Sequence, residues 1–170
     1  MSDAVLPQWP RTDGVVIVRP PRPGDAAVLI AGRDAEWERW LGPGDPQPHP
    51  TACILVNDEI VGWVDYDTDR DWLRPREANI GYNVFAPYRR KGYATRAVRL
   101  LFDYLRDHTD TERAYLTINA ANAASLGVAR SLGAVVVQRD SDEAGEWLRH
   151  VVGLRTVAWR NRDHLQYRTW

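Results

Sequence analysis

The stretch from residue 79 to residue 95 constrains the fold of this chain most, because it runs from a strand-like segment through a short basic loop into an amphipathic helix. A loop that enters a helix presents backbone N–H groups without intrahelical partners, and the helix dipole adds partial positive charge at the same end. No acidic residue occurs between Ala78 and Phe102, although the formal net charge of the whole chain is only −1. The basic residues of this stretch are Arg89, Arg90, Lys91, Arg96 and Arg99. The segment therefore predicts a strand, loop and helix that bind a phosphate group.

The order of residues in the loop argues against two common phosphate-binding motifs. A Walker loop requires Gly-Lys-Ser/Thr, whereas here Lys91 precedes Gly92 and Tyr93 follows it, so an NTPase is disfavoured. A dinucleotide-binding fingerprint requires three closely spaced glycines. Gly92 is the only glycine between Asn83 and Leu126, which excludes that motif as well.

The loop resembles instead the Arg/Gln-x-x-Gly-x-Gly/Ala signature of the GNAT N-acetyltransferase superfamily, whose loop amides hold the pyrophosphate of acetyl-CoA. Arg89, Gly92 and Ala94 stand at the three positions of that signature. A second segment, Asn-Ala-Ala-Ser at residues 122–125 followed by a short helix that ends in Gly-Ala at residues 133–134, is similar to the second cofactor element of the family. The helix and strand predicted between the two segments follow the order that the family uses.

Two further stretches resemble one branch of the family, which includes the ribosomal-protein N-terminal acetyltransferases. These are Ile-Gly-Tyr at residues 80–82 and the helix start Gly-Tyr-Ala-Thr-x-Ala-Val at residues 92–98. The resemblance covers roughly residues 15–158. It implies a mixed α+β fold, in which a GNAT-like single domain over residues 1–170 has a central, mostly antiparallel seven-stranded mixed sheet flanked by about four helices. Residues 1–12 are expected to be flexible.

Local patterns predict elements that fit this architecture. Apolar and β-branched runs predict strands at residues 15–18, 51–56, 60–66, 77–85, 114–119, 134–138 and 151–158. Helical spacing predicts helices at residues 25–41 and 93–107, and residues 140–145 are predicted as a polar turn. A chain of 170 residues, 44% of them hydrophobic and 26% charged, fits one globular domain.

The resemblance implies acetyl-CoA as the acyl donor. Its pyrophosphate is expected on the amides of the loop, and a backbone N–H around Val84 and Phe85 is expected to polarise the thioester carbonyl where the strand splays from its neighbour. The expected cofactor-binding residues are Val84, Phe85, Arg89, Arg90, Lys91, Gly92, Tyr93, Ala94, Thr95, Asn122 and Ser125.

Two positions depart from the usual catalytic residues of the family. Ala129 replaces the tyrosine that often protonates the coenzyme A sulfur. Ser125 matches the serine that the most similar branch uses instead, and its hydroxyl is a hydrogen-bond donor of the required kind. The alternative is that Ser125 only caps the following helix.

The general base is the second open role. Asn79 stands where relatives commonly carry glutamate, and an amide orients a water or an amine but accepts no proton as a base. Glu77 lies two residues earlier and so shares a strand face with Asn79. Asp65 and Asp67 share a face of the neighbouring strand. Any of these acids is a candidate base that acts through water. The alternative is that they are ordinary solvent-exposed acids of the strands.

Acidic and aromatic residues near the candidate base predict the acceptor. Seven acids against three arginines lie between Asn57 and Glu77, which favours a cationic amine, although a plain solvated hairpin explains the same charges. Of eight tryptophans most are expected to be core or interface residues. The candidates for an acceptor pocket with cation–π contacts are Trp37, Trp40, Trp63 and Trp72, together with Asp67.

These observations predict an N-acetyltransferase that moves an acetyl group from acetyl-CoA directly to a primary amine of a small molecule or of a protein N-terminus. The alternative is a non-catalytic acyl-CoA-binding or regulatory module of the same fold. A nucleic-acid partner is disfavoured because the basic patch is short and the isoelectric point is about 6.4. The expected protein is cytoplasmic, without a membrane partner, and a monomer or homodimer.

The remaining reactive residues predict no further chemistry. The single cysteine, Cys53, excludes an internal disulfide and lies in an apolar run, where a small buried residue is expected. The four histidines have no metal-ligand spacing, so no metal is expected; they are His49, His108, His150 and His164.

Overall fold

Residues 8–155 are described by a computed structural model, in which eight strands form one mixed sheet that carries four helices. In chain order the strands are β1 (Arg11–Thr12), β2 (Ile17–Arg19), β3 (Ala52–Val56), β4 (Glu59–Asp67), β5 (Glu77–Val84), β6 (Arg113–Asn119), β7 (Val135–Asp142) and β8 (Gly145–Gly153). The helices are α1 (Asp25–Ala31), α2 (Ala35–Leu41), α3 (Tyr93–His108) and α4 (Ala123–Ser131), and a short 3₁₀ turn spans Ala86–Tyr88. The predicted mixed α+β fold with about four helices is confirmed.

The sheet has one strand more than the seven predicted, because β1 pairs antiparallel with β2. Arg11 of β1 forms an ion pair of 2.9 Å with Asp107 of α3. Next to it, Trp9 stacks on Tyr104 with ring centroids 4.4 Å apart. The structure thus ties residues 9–12 to α3, although the sequence predicted a flexible segment over residues 1–12; residues 1–7 lie outside the described part. A strand of two residues is too short to show the alternation that sequence patterns rely on.

The predicted helix over residues 25–41 is two helices, α1 and α2, separated at residues 32–34. Asp34 has an extended backbone, and its carboxylate accepts a hydrogen bond of 2.9 Å from the N–H of Trp37, so it starts α2 as an N-cap. Gly32 ends α1 against the side chain of Phe85, where an added Cβ would come within 2.4 Å of the ring. The break is therefore set by a close contact that the local pattern does not contain.

The predicted polar turn at residues 140–145 is a β-hairpin, in which β7 extends to Asp142 and β8 begins at Gly145. Gly145 has a φ of 114°, which suits glycine at the end of a tight turn. The strand predicted over residues 151–158 accordingly starts earlier and ends at Gly153; its last residues, 156–158, lie outside the described part. The sequence pattern did not predict this hairpin, because β7 is an edge strand whose residues are mostly exposed and polar.

The strand order across the sheet is β1-β2-β3-β4-β5-β6-β8-β7, and every neighbouring pair is antiparallel except β5 with β6. That parallel pair is joined by α3, because parallel strands need a crossover connection. The β5–β6 ladder covers only Glu77–Asn79 opposite Arg113–Tyr115. From Ile80 onward no residue of β5 pairs with a residue of β6. The sheet therefore opens between these two strands, and this unpaired region is the V-shaped opening.

The two faces of the sheet hold separate apolar clusters. On one face α3 buries a stripe at helical spacing against the sheet; its members are Ala97, Val98, Leu101, Phe102 and Leu105. On the other face Leu29 of α1 packs with Cys53, Leu55 and Phe85. Cys53 is buried as expected, and burial raises the pKa of its thiol to about 11, which leaves it uncharged at neutral pH. Among the described residues no helix is long and apolar enough to cross a membrane.

Candidate active site

The backbone N–H of Val84 borders the V-shaped opening and has no partner among residues 8–155. Phe85, the residue after β5, donates its N–H to the carbonyl of Val61 at 2.8 Å, so the expected role of Phe85 as a free donor is corrected. Antiparallel neighbours alternate which side they bond. The N–H of Val84 therefore faces away from β4, toward β6, where the ladder has already ended.

The loop after β5 presents a row of backbone N–H groups at the start of α3. From Arg90 to Thr95, none of these groups has a hydrogen-bond partner among residues 8–155, and no side chain caps the helix. Arg90 and Gly92 both have left-handed backbones, with φ of 62° and 80°. An added Cβ on Gly92 would meet no atom within 4 Å, so the space in front of this residue is open. Consecutive unpaired donors at a helix N-terminus form an anion-binding site.

The side chain of Arg89 turns back into the protein. Its Nε donates to the carbonyl of Val84 at 2.8 Å, and its two terminal nitrogens donate to the Asp34 carboxylate at 2.7 and 2.9 Å. The hydrogen bond from Arg89 holds the pKa of Asp34 below its ordinary value. Arg89 thus fixes the loop to the end of β5 and to α2, whereas Arg90 and Lys91 are exposed and available to a ligand.

At the start of α4 the N-cap is Asn122, not Ser125. The Asn122 side chain accepts a hydrogen bond of 3.1 Å from the N–H of Ser125, so the alternative role of Ser125 as the cap is wrong. The hydroxyl of Ser125 has no hydrogen-bond partner within the described chain. Ala129 is only 1% exposed and belongs to the core, so its position supplies no proton.

Tyr82 connects β5 to α4 beside that serine. Its hydroxyl donates to the carbonyl of Ser125 at 3.5 Å. Burial raises the pKa of the Tyr82 hydroxyl to about 12, so it stays protonated at neutral pH. Tyr82 therefore holds α4 and the backbone of Ser125 against the central strand.

Glu77 is fully engaged by its neighbours. It is 7% exposed, and its carboxylate accepts from the Arg74 N–H at 2.9 Å, the Tyr115 hydroxyl at 3.0 Å and Arg113 at 3.3 Å. Burial alone would raise the pKa of Glu77, but these hydrogen bonds together bring it below the ordinary value. A carboxylate held in this way is a poor proton acceptor, and the structure favours a structural role for Glu77.

Asp67 and Asn79 are engaged with each other. Asp67 accepts two hydrogen bonds of 3.0 Å from Arg70 and one of 3.0 Å from the Asn79 side chain. The amide that was expected to orient a water or an amine is directed at Asp67. Both residues remain on the same sheet face as Asp65, but their polar atoms are largely used within the protein.

Asp65 is the candidate base whose carboxylate is only half used. Its Oδ1 accepts from the N–H and the hydroxyl of Thr51 at 2.9 and 2.7 Å. Its Oδ2 has no hydrogen-bond partner in the described part of the chain. Across the ladder it lies opposite Gly81 of β5, and the Trp63 ring packs over that glycine, 3.4 Å from the place that a Cβ would take.

A cleft of about 300 Å³ lies beside Asp65, between α2, the loop after it and β4. Trp37 and Trp63 form one wall, edge to face with ring centroids 5.6 Å apart. The other lining residues are Leu29, Arg33, Leu41, Gly44, Asp45, Pro48, His49 and Pro50. The structure thus places two of the tryptophans predicted for an acceptor pocket, Trp37 and Trp63, beside the candidate base Asp65, whereas Asp67, also predicted for the pocket, does not line the cleft.

Trp40 and Trp72 lie elsewhere. Trp40 bonds Glu36 at 2.8 Å and stacks with Arg39 on the outer side of α2. Trp72 packs on Tyr115, with its ring 3.8 Å from the Arg149 guanidinium carbon. Neither lines the cleft. Among the described residues, no group of three or more His, Cys, Asp and Glu side chains is arranged to hold a metal ion.

The sequence analysis missed two residues of the segment between α1 and α2. Asp34 caps α2 and clamps Arg89, and Arg33 lines the cleft. An acid directly before a helix whose first turn carries Glu36 and Glu38 is an N-cap signal. Treating residues 25–41 as one helix concealed it.

Comparison with known proteins identifies one family and many similar folds. The sequence model described as the acetyltransferase (GNAT) domain matches residues 16–135 of this chain. None of the curated protein sequences matches it. Among solved structures, Mycobacterium smegmatis RimJ in complex with CoA-disulfide has a TM-score of 0.69 and 22% sequence identity, with 82% of each chain covered.

Two further structures show the same architecture at lower identity. The structure of yncA from Salmonella typhimurium with its cofactor acetyl-CoA has a TM-score of 0.68 and 16% identity, covering 87% of this chain and 99% of the other. RimL, a ribosomal L7/L12 alpha-N-protein acetyltransferase in complex with coenzyme A, has a TM-score of 0.68 and 14% identity, covering 82% and 94%. These similarities establish the fold.

Proposed function

The chain belongs to the GNAT acetyltransferase family, and from this membership we propose that it transfers an acetyl group from acetyl-CoA directly to the amine of an acceptor. The observation that carries the proposal is the row of unpartnered N–H groups from Arg90 to Thr95 at the end of a strand that has just left its neighbour. The pyrophosphate of acetyl-CoA would accept hydrogen bonds from these donors, and the opening between β5 and β6 would admit the extended arm that links the pyrophosphate to the thioester.

Residues on both sides of the opening fit acetyl-CoA as a substrate. The loop amides and the exposed side chains of Arg90 and Lys91 would bind its phosphates. Gly92 has the backbone and the open space that close approach of a phosphate requires. Asn122 would contribute by holding the start of α4, where Ser125 presents its hydroxyl. RimJ, RimL and yncA were each solved with coenzyme A or a derivative of it, which supports the same use of the fold here.

Three groups of this chain would then act on the reacting atoms. Asp65 takes one proton from the acceptor ammonium through water, which frees the nitrogen lone pair. Val84 donates its N–H to the carbonyl oxygen as the nitrogen attacks and the C–N bond forms. Ser125 donates a hydrogen bond to the sulfur as the C–S bond breaks, and the second proton that the attacking nitrogen loses passes to the thiolate. An ammonium and a thioester thus give an amide, a thiol and one released proton.

The acceptor would enter from the sheet face that carries Trp37, Trp63 and Asp65. Asp65 attracts an ammonium group, and the indole rings supply apolar and cation–π contacts. A small-molecule amine and a protein N-terminus both offer such a group. RimL is described as acting on a protein, ribosomal L7/L12, which keeps the second class open for this chain.

Binding and turnover, measured separately, test the proposal. Calorimetry with acetyl-CoA should show binding to the purified protein, and a thiol-reactive dye should report release of coenzyme A only when an amine is added. Cys53 is fully buried, so the protein itself should give little background with the dye. Absence of acetyl-CoA binding would refute the cofactor assignment, whereas binding without amine-dependent thiol release would identify a non-catalytic acyl-CoA-binding module.

A further inference from the structure

Two residues that line the cleft beside Asp65, Arg33 and Trp37, are incompletely paired within the described part of the chain. Trp37 is 8% exposed, and its indole Nε1 is buried without a partner among the described residues. The Nε of Arg33 is buried and without a partner in the same way. Both residues line the cleft. The two atoms themselves have no accessible surface, so what the cleft can offer a ligand is the rest of the Arg33 guanidinium and the Trp37 ring.

Arg33 also lacks a carboxylate partner. Its guanidinium carbon lies 5.1 Å from the centre of the Trp37 ring, and its terminal nitrogen donates to the backbone carbonyl of Asp45. The carboxylate of Asp45 itself accepts from the N–H of Gln47 at 2.7 Å. No carboxylate within residues 8–155 lies within ion-pair distance of Arg33, so its positive charge is not neutralised locally.

The charges that line the cleft are therefore of both signs. Among residues 8–155, Asp65 keeps one carboxylate oxygen without a partner and Arg33 keeps a positive charge without a carboxylate; Asp45 and His49 are the other titratable groups. A simple alkylamine would pair with Asp65 and leave the charge of Arg33 without a partner. A ligand with an ammonium and a carboxylate would satisfy both sides, because buried polar groups bind best when each finds a partner.

We propose, on the basis of the function argued above, that the acceptor is a free amino acid with an apolar side chain. Its ammonium is bound near Asp65, and its carboxylate pairs with the Arg33 guanidinium, whose charge no carboxylate of residues 8–155 neutralises. Leu29, Leu41, Pro50 and Trp63 form an apolar surface for its side chain. The cleft volume of about 300 Å³ is at the small end for ligand sites and suits one amino acid.

Matched acceptors show whether the carboxylate is recognised. L-Phenylalanine and L-leucine are compared with their α-amides, which keep the amine and lose the negative charge, and with phenethylamine and 3-methylbutylamine, which lack the carboxyl carbon. The amino acids should have a kcat/KM at least about 10-fold above that of the amides and amines, since a hydrogen-bonding site rejects ligands that leave its buried groups unpaired.

The substitution Arg33→Met tests whether Arg33 binds the carboxylate of the acceptor. It should lower kcat/KM for the two amino acids by about 10- to 100-fold, as expected for loss of a charged hydrogen bond. It should lower kcat/KM for phenethylamine far less, because that amine offers Arg33 no carboxylate, and acetyl-CoA affinity should stay near the parental value. The matched control is Arg39→Met, because Arg39 makes a similar cation–π contact, 4.4 Å from the Trp40 ring, on the outer side of α2, the helix that also carries Trp37. That control should behave as the parent protein with every acceptor.

The outcomes separate this inference from the function on which it rests. Equal use of acids, amides and amines, or an Arg33→Met effect that is the same for all of them, would overturn the amino-acid assignment and leave the acetyltransferase standing. Preference for the amides would point to a peptide N-terminus and would overturn it as well. If acetyl-CoA binds but none of the six probes releases coenzyme A, the inferred acceptor is wrong; release with other amines would show that the function survives.

Discussion

The loop before α3 and the acidic face formed by Asp65, Asp67 and Glu77 belong to one proposed site but would act through different groups, the backbone amides in the loop and the side chains on the acidic face. The loop presents backbone N–H groups, and none of those from Arg90 to Thr95 has a partner in the described chain. The acidic face presents side chains, most of which are already bonded to one another. Backbone N–H groups need only the correct local conformation to be available to a ligand. Whether a side chain is available depends instead on neighbours that are distant in the sequence.

This difference decides which residues remain available for chemistry. Three acids stand on one sheet face, and Glu77 and Asp67 are each held by at least two neighbours. Asp65 keeps one free oxygen because Thr51 bonds only the other one. On the acidic face, then, the number of partners rather than the number of charges identifies the candidate base.

Substitution of Gly92 by valine tests the loop and should have the largest effect. A β-branched residue resists a φ of 80°, so the loop amides should lose their arrangement and acetyl-CoA affinity should fall by about 1,000-fold or more. Calorimetry measures this. Gly14→Val is the control, because Gly14 has a φ of 90° and equally open surroundings but lies in the turn before β2. Equal losses of affinity would show that the effect is general strain.

Replacement of Ser125 by alanine should lower kcat by about 10- to 1,000-fold while KM for acetyl-CoA changes little, because the lost contact is made mainly in the transition state. Asn122→Ala is the contrasting variant. It removes the cap of α4 and should cost about 0.5 to 2 kcal/mol of stability. A Ser125→Ala protein that loses thermal stability but keeps its kcat would contradict the assignment.

Substitution of Asp65 by asparagine tests whether this acid is the one that accepts the proton of the amine. An amine with a pKa near that of lysine, ~10.4, is mostly protonated at neutral pH, so turnover of the parent should rise with pH. Asp65→Asn should lower turnover by about 10- to 100-fold and flatten that rise. Asp67→Asn is the matched control and should keep the parental profile. If both variants keep it, the enzyme selects the neutral fraction of its amine and catalyses by positioning alone.

The same contrast explains how far the sequence predicts the molecule. The loop was predictable because Gly92, the basic residues around it and the apolar stripe of α3 are local signals. The split between α1 and α2 had one local signal, the cap at Asp34, but it also depends on Phe85 packing against Gly32 and on Arg89 pairing with Asp34, which the local pattern does not contain. The ranking of the acids was hidden for the same reason, since Tyr115 and Arg113 reach Glu77 from a strand 36 or more residues away.

Glu77→Gln should have the smallest effect on turnover and a clear effect on stability. The pKa of Glu77 in the fold lies below its ordinary value of 4.5, so its carboxylate stabilises the folded state above that value and loses this contribution as the pH falls through the folded pKa. At neutral pH the substitution should therefore cost about 1 to 3 kcal/mol. The cost should shrink below about pH 4.5, where the unfolded chain takes up the proton first. Urea unfolding at several pH values measures the difference between parent and variant. A cost in stability that is independent of pH would mean that packing, not charge, fixes Glu77. A parental pH–rate profile for Glu77→Gln would agree with a structural role for Glu77 and a catalytic role for Asp65.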